Sequence, residues 1–131
     1  GLFARGFNTE AAAEYRNYLK QFPEGAHRPE ALYRLGESEF ALGRYQPAID
    51  SFDDLLKAFP QHALAMTAQG RKGVALYQLG KLDDAVAVLG PVAQSKAGDD
   101  IRAGALYFLG KAHFDAKRMP DAAAAFTTLI D

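Results

Sequence analysis

A step of 37 residues runs through this chain. Ala11, Ala48, Ala85 and Ala122 stand at that spacing, and so do Tyr15, Phe52, Leu89 and Phe126. Phe3, Phe40, Tyr77 and Phe114 keep the same step, as do Gly6, Gly43 and Gly80. Pro23 and Pro60 close two of the copies. Self-similarity at a period of about 20 to 50 residues marks a repeat array, in which each unit buries its apolar face against its neighbours. Within a copy the apolar residues recur at three and four, as in Ala48, Ile49, Phe52, Leu55, Leu56 and Phe59, which is helical spacing. The expected fold is all-α: a right-handed superhelical solenoid of antiparallel helix pairs. Residues 1–26 read as a partial repeat, 27–63 as a full one, 64–100 as a divergent one and 101–131 as the last. The pattern starts and stops in mid-copy, which reads as one array excised from a longer chain.

Taken in order, residues 1–5 read as the last turn of a helix stopped by Gly6, with Asn8 or Thr9 capping the next. That next helix carries Ala11, Ala12, Tyr15, Tyr18, Leu19 and Phe22 as one apolar stripe. Pro29 opens a helix that Gly43 ends, and Pro47 opens its partner. The third copy departs from the pattern: Gln69, Gly70 and Lys72 stand where the flanking copies are mostly apolar, so its first helix is expected to be loose. Gly90-Pro91 inside the second helix of that copy predicts a kink or break. Asp99 or Asp100 is expected to cap the following helix, at whose end Lys117 takes the place of glycine. Gly36, Gly73 and Gly110 lie mid-helix and are expected to cross the small residues Ala48, Ala85 and Ala122, with Phe52, Leu89 and Phe126 filling the space beyond.

Composition narrows the function. The net charge is −1 and the two halves are alike, so no basic stripe collects phosphates and nucleic acid is not the expected ligand. There is no cysteine, which removes thiol catalysis, disulfides and thiolate metal sites. No apolar run approaches the roughly 20 residues that span a bilayer. His27 and His62 fall in turns and read as solvated, while His113 reads as packed and hydrogen-bonded; no second ligand stands at helical spacing from any of them. The pairs Asp53-Asp54, Asp83-Asp84 and Asp99-Asp100 point in different directions on a helix, and two of them stand at helix starts, where carboxylates favour the dipole. Neither a phosphate loop nor a nucleophile elbow is present. No enzymatic activity and no cofactor or metal are expected.

Leu35-Gly36, Gly43, Tyr45, Ala48, Phe52 and Pro60 resemble the tetratricopeptide repeat pattern in order and spacing. Leu109-Gly110, Met119, Ala122 and Phe126 match it again, and Gly73, Gly80, Leu82, Ala85 and Leu89 match it more weakly. The period exceeds the usual one, about 34. The usual tryptophan is replaced by Leu32, Gln69 and Leu106, and an expected aromatic by Glu39. Phe22-Pro23, Phe59-Pro60 and Ala31-Leu32-Tyr33 are similar to two bacterial cell-envelope groups. These are the Tol–Pal-associated periplasmic coordinator family and the outer-membrane assembly lipoprotein of the β-barrel assembly machine. That resemblance implies a periplasmic adaptor; absence of cysteine fits cytoplasm equally.

The expected function is a non-catalytic protein-interaction scaffold, with a partner segment laid in the concave groove formed by the first helices. Tyr33, Arg34, Glu37, Arg71, Tyr77, Tyr107 and Lys111 are the candidate partner-binding residues: the tyrosines bury apolar surface and Arg34, Arg71 and Lys111 orient acidic or terminal carboxylates. Phe40, Tyr77 and Phe114 recur in every copy and so also read as packing residues between pairs. The rival expectation is a structural spacer or self-association module, pairing through apolar ends at Phe3 and Leu129-Ile130.

Overall fold

In the computed structural model of the chain the backbone is described for residues 2–130 and the side chains for 4–130. The expectations placed on the Phe3 side chain lie outside the described residues. Seven helices follow one another there with no strand between them: α1 (Leu2–Gln21), α2 (Arg28–Ala41), α3 (Tyr45–Ala58), α4 (Ala65–Gln78), α5 (Leu82–Ala93), α6 (Asp99–Asp115) and α7 (Met119–Ile130). The all-α class and the helix-pair build are as the periodicity predicts. The chain forms two compact units, Gly1–Ala68 and Gln69–Asp131.

The first helix of each pair ends in the same way. Gly43 (φ 76°), Gly80 (φ 78°) and Lys117 (φ 63°) are left-handed. Gly43 N–H donates to Phe40 O and Arg44 N–H to Glu39 O; Gly80 and Lys81 repeat this onto Tyr77 and Leu76, and Lys117 and Arg118 onto Phe114 and His113. This is the Schellman pairing, which satisfies the last carbonyls of a helix and needs a residue tolerant of positive φ. Lys117 adopts the glycine conformation at a steric cost of roughly 1 kcal/mol.

Each pair locks through a close approach. A Cβ added at Gly36 would fall under 3.0 Å from the Phe52 ring; at Gly73 it would meet Leu89, and at Gly110 the Phe126 ring. The crossing is therefore glycine against a large side chain, not small against small, which corrects the expected packing. Ala48, Ala85 and Ala122 are buried beside these contacts. Phe52 and Leu55 centre the core of the first unit, with Leu32, Tyr33, Ala48, Ala65 and Ala68 around them. Full burial of such a side chain contributes roughly 1.5–3 kcal/mol.

Three local expectations are corrected. Gly6 does not stop a helix: α1 is continuous, and Asn8 Nδ2 and Thr9 Oγ1 donate to the carbonyls of Ala4 and Arg5 at 2.9 Å rather than capping. A turn at Gly6 would give up those bonds and the helical ladder. Pro91 does not break α5, which runs from Leu82 to Ala93 with the proline inside it. Gly98, not Asp99 or Asp100, is the N-cap of α6; the two aspartates occupy its first turn. The divergent helix α4 is held in its own way: Gln69 Nε2 donates to Val88 O at 3.2 Å.

Candidate functional site

In the second unit the register that sets Gly110 against Phe126 turns Tyr107, Phe108 and Lys111 to one side of α6. Lys111 Nζ stands 5.3 Å from the Tyr77 ring centre, 5.4 Å from that of Tyr107 and 5.7 Å from that of Phe108. Tyr107 and Phe108 meet edge to face at 5.1 Å, and Phe108 lies 5.7 Å from Tyr77. A cation within about 6 Å of a ring face gains roughly 0.5–1 kcal/mol at an exposed site. The Tyr77 hydroxyl donates to Asp115 Oδ2 at 2.6 Å. That hydrogen bond first, then burial and the negative charge of Asp115, push the Tyr77 pKa up to about 12. Tyr107 remains 45% exposed. The cluster thus joins an oriented ammonium, an open aromatic face and a carboxylate.

In the first unit α1 and α2 enclose a cleft of about 400 Å³. Phe7, Asn8, Ala11 and Tyr15 line it from α1, and Arg34, Glu37, Ser38 and Ala41 from α2. Phe7 is 65% exposed at its rim. Beside the cleft, Arg16 Nη2 meets Glu39 Oε1 at 2.6 Å, tying α1 to α2, and Arg44 Nη1 stands 3.7 Å from Glu39 Oε2. Glu39 is buried and Arg16 is exposed.

Tyr77, Tyr107 and Lys111 thus converge, as do Arg34 and Glu37. Arg71 is exposed on α4. Tyr33 belongs elsewhere: at 8% exposure its ring packs 6.0 Å from that of Phe52, with Arg34 above it at 5.7 Å. It is a core residue that supports Arg34 and leaves little surface for a partner. Of the recurring aromatics, Phe40 packs edge to face on Tyr45, whereas Phe114 is 55% exposed. His113 is hydrogen-bonded as expected, Nδ1 accepting from Arg118 Nε, and Arg118 also reaches Asp83 at 3.0 Å. His62 is less solvated than its turn suggests: Nδ1 accepts from Leu64 N–H at 3.0 Å and Nε2 faces Glu30 at 3.5 Å. Phe108 and the α1 wall of the cleft escaped the sequence reading. Arg34 and Glu37 of the α2 wall were among the residues that the sequence singled out.

Among the described residues no group of acidic or histidine side chains could hold a metal ion. No helix among them is long and apolar enough to cross a membrane. The paired helices and the recurring glycine crossings define a helical-repeat module. The chain belongs to the tetratricopeptide repeat family, whose model matches residues 1–63, 48–90 and 71–131. It is similar to the solved structure of the MamA RS-1 ArsTM double mutant (TM-score 0.81, 31% identity). That match covers 97% of this chain and 66% of the other, just under two thirds. It is also similar to MamA 41-end from Desulfovibrio magneticus RS-1 (TM-score 0.69, 28% identity), over 92% of this chain and 75% of that one. No curated protein matches it significantly in sequence. Repeats of this family and these neighbours indicate a protein-interaction scaffold.

Proposed function

We propose that the chain is a non-catalytic scaffold that holds a segment of a partner protein, with the Lys111 cluster as one of its contact points. The observation that carries this is the ammonium of Lys111 held over three rings beside the exposed Tyr107. An acidic side chain or terminal carboxylate of the partner pairs with Lys111 while an apolar neighbour lies on Tyr107. Arg34 and Glu37 on α2, and Arg71 on α4, are proposed as further contacts, in repeats bounded at 27–63, 64–100 and 101–131. The resemblance carried by Phe22-Pro23 and Phe59-Pro60 supports a role in the bacterial cell envelope, which fractionation of the source cells tests. The experiment for the site compares partner capture by the parent and by a Tyr107→Ala, Lys111→Ala variant of equal helicity. Retention by the parent and loss by the variant supports the contact; equal retention overturns it.

A second reading, a self-associating spacer, is favoured by exposed apolar side chains at Phe114, Met119 and Ile130, the last 84% exposed. Mass that rises with concentration, and falls on Ile130→Asp substitution, distinguishes it.

A further inference from the structure

Three copies end the first helix of a pair with the same two backbone bonds, and each sets a different pair of side chains beside them. The pairs are Glu39 with Arg44, Leu76 with Lys81 and His113 with Arg118. In the first, Arg44 Nη1 stands 3.7 Å from the Glu39 carboxylate. In the last, Arg118 makes three contacts. Its Nε donates to His113 Nδ1 at 3.2 Å, its backbone N–H donates to the His113 carbonyl at 2.8 Å, and its Nη1 meets Asp83, in the first turn of α5, at 3.0 Å. Arg118 thus ties the end of α6 and the turn before α7 to the start of α5, and all of these residues lie in one compact unit.

An imidazole that accepts a hydrogen bond at Nδ1 is neutral, with its own proton on Nε2. Proton uptake places a hydrogen on Nδ1. The acceptor is then lost, and two cations stand within hydrogen-bond distance of each other. From this geometry we infer that the His113–Arg118–Asp83 contact is an acid-sensitive latch. It holds the α6–α7 turn to α5 while His113 is neutral and releases it when His113 takes a proton. Imidazole is the side chain that ordinarily does so between about pH 5 and 8. The other charged groups on the elements around it do not relieve the repulsion. On α5, Asp83 is already paired with Arg118, and Asp84 is exposed. On α6, Asp115 accepts from Tyr77 and Lys111 lies over three rings. Asp121 of α7 is exposed, while α4 and the turn add only cations, Arg71, Lys72 and Lys117. Leu76 takes no proton, so the end of α4 supplies the same backbone turn without the latch.

Amide hydrogen exchange of the intact protein tests this, followed by NMR and expressed as protection factors so that the intrinsic pH dependence of exchange is removed. Between about pH 7.5 and about pH 5.5 the Lys117 and Arg118 amides are expected to lose protection about tenfold or more, the scale of one charge-assisted hydrogen bond. The Gly80 and Lys81 amides, which make the same backbone bonds beside Leu76, are expected to keep theirs. Two variants remove the titrating group: His113→Leu installs the residue found at 76, and His113→Gln keeps a polar side chain. Each is expected to abolish the pH dependence at Lys117 and Arg118. Arg118→Gln is expected to leave Lys117 equally exchangeable at both pH values. Protection of Lys117 and Arg118 that is constant across the range overturns the proposal. So does an equal fall at Gly80 and Lys81, or a fall that persists in His113→Gln.

Discussion

Tyr33 in the first unit and Tyr107 in the second occupy the same register of the repeat, two periods apart. Each sets its ring near the large side chain that meets its helix's glycine, Phe52 at 6.0 Å and Phe126 at 6.4 Å. Yet Tyr33 is buried and Tyr107 is nearly half exposed. Tyr33 shares its cluster with Ala65 and Ala68 at the start of α4, which finish its burial. The same residue is thus core in one copy and exposed surface in another, by virtue of what covers it. A second position makes the point chemically. The register that holds the buried Glu39 holds the buried Leu76 and the half-buried His113 in the later copies. The glycine-to-large crossing is invariant through the pairs, and the register beside it accepts a carboxylate paired with Arg16, an aliphatic side chain, or an imidazole paired with Arg118.

The comparison can be broken most forcefully at the crossing. Phe52→Ala is expected to cost about 3–5 kcal/mol by urea denaturation, the range for deleting a buried ring. Phe126→Ala is expected to cost clearly less, since Phe126 is only half-buried. Equal losses would show that the two cores are equivalent after all. Arg16→Ala is expected to cost about 3 kcal/mol, because it leaves the Glu39 carboxylate buried with only Arg44 at 3.7 Å to compensate. Glu39→Leu, which installs the residue found at 76, is expected to be near neutral or stabilising in the same assay. A large loss from Glu39→Leu would mean that the ion pair is required for the fold.

Smaller effects sharpen the contrast between the helix ends. Lys117→Gly is expected to raise stability by about 1 kcal/mol, relieving a left-handed lysine, whereas Gly43→Ala is expected to lower it by about as much. Gly70→Ala is expected to stabilise α4 by about 1 kcal/mol, since an added Cβ would find Val92 at an ordinary 3.7 Å. Thermal melts of these three variants test both statements. The smallest effect is on pH. The Tyr77 hydroxyl has a folded pKa of about 12 against an ordinary 10.0, so its bond to Asp115 supports the fold below the ordinary value. That support is lost as pH rises through about 12. Phenolate absorbance of the folded chain should show one late-titrating tyrosine that moves earlier in Asp115→Asn.

Much of this architecture is legible in the sequence, because helical periodicity and the recurrence of alanine, glycine and large residues are written along one strand of code. The turns at Gly43 and Gly80 were legible for the same reason, since only a few residues tolerate positive φ. Gly6 misled: it has the spacing of a helix stop, but Asn8 and Thr9 bond backward and α1 continues. Pro91 misled as to a break, since α5 continues through it to Ala93. Of the candidate site, Tyr77, Tyr107 and Lys111 were legible as one face of repeating helices, whereas Tyr33 was not separable from Tyr107 by any local feature. The α1–α2 cleft was invisible for a further reason, as it is defined by the absence of a side chain between two walls distant in sequence.

The sequence by itself determined the period, the helix pairs and the left-handed stops at Gly43 and Gly80. These are set by backbone sterics and by spacings of three and four residues, which act within a helix or between immediate neighbours. Only the tertiary structure decided which members of an equivalent set are covered. Tyr33 lies under the start of α4 while Tyr107 faces outward, and Glu39 is sealed by Arg16 where Leu76 needs no partner. Burial is a property of what approaches from elsewhere in the chain, and no local pattern specifies it.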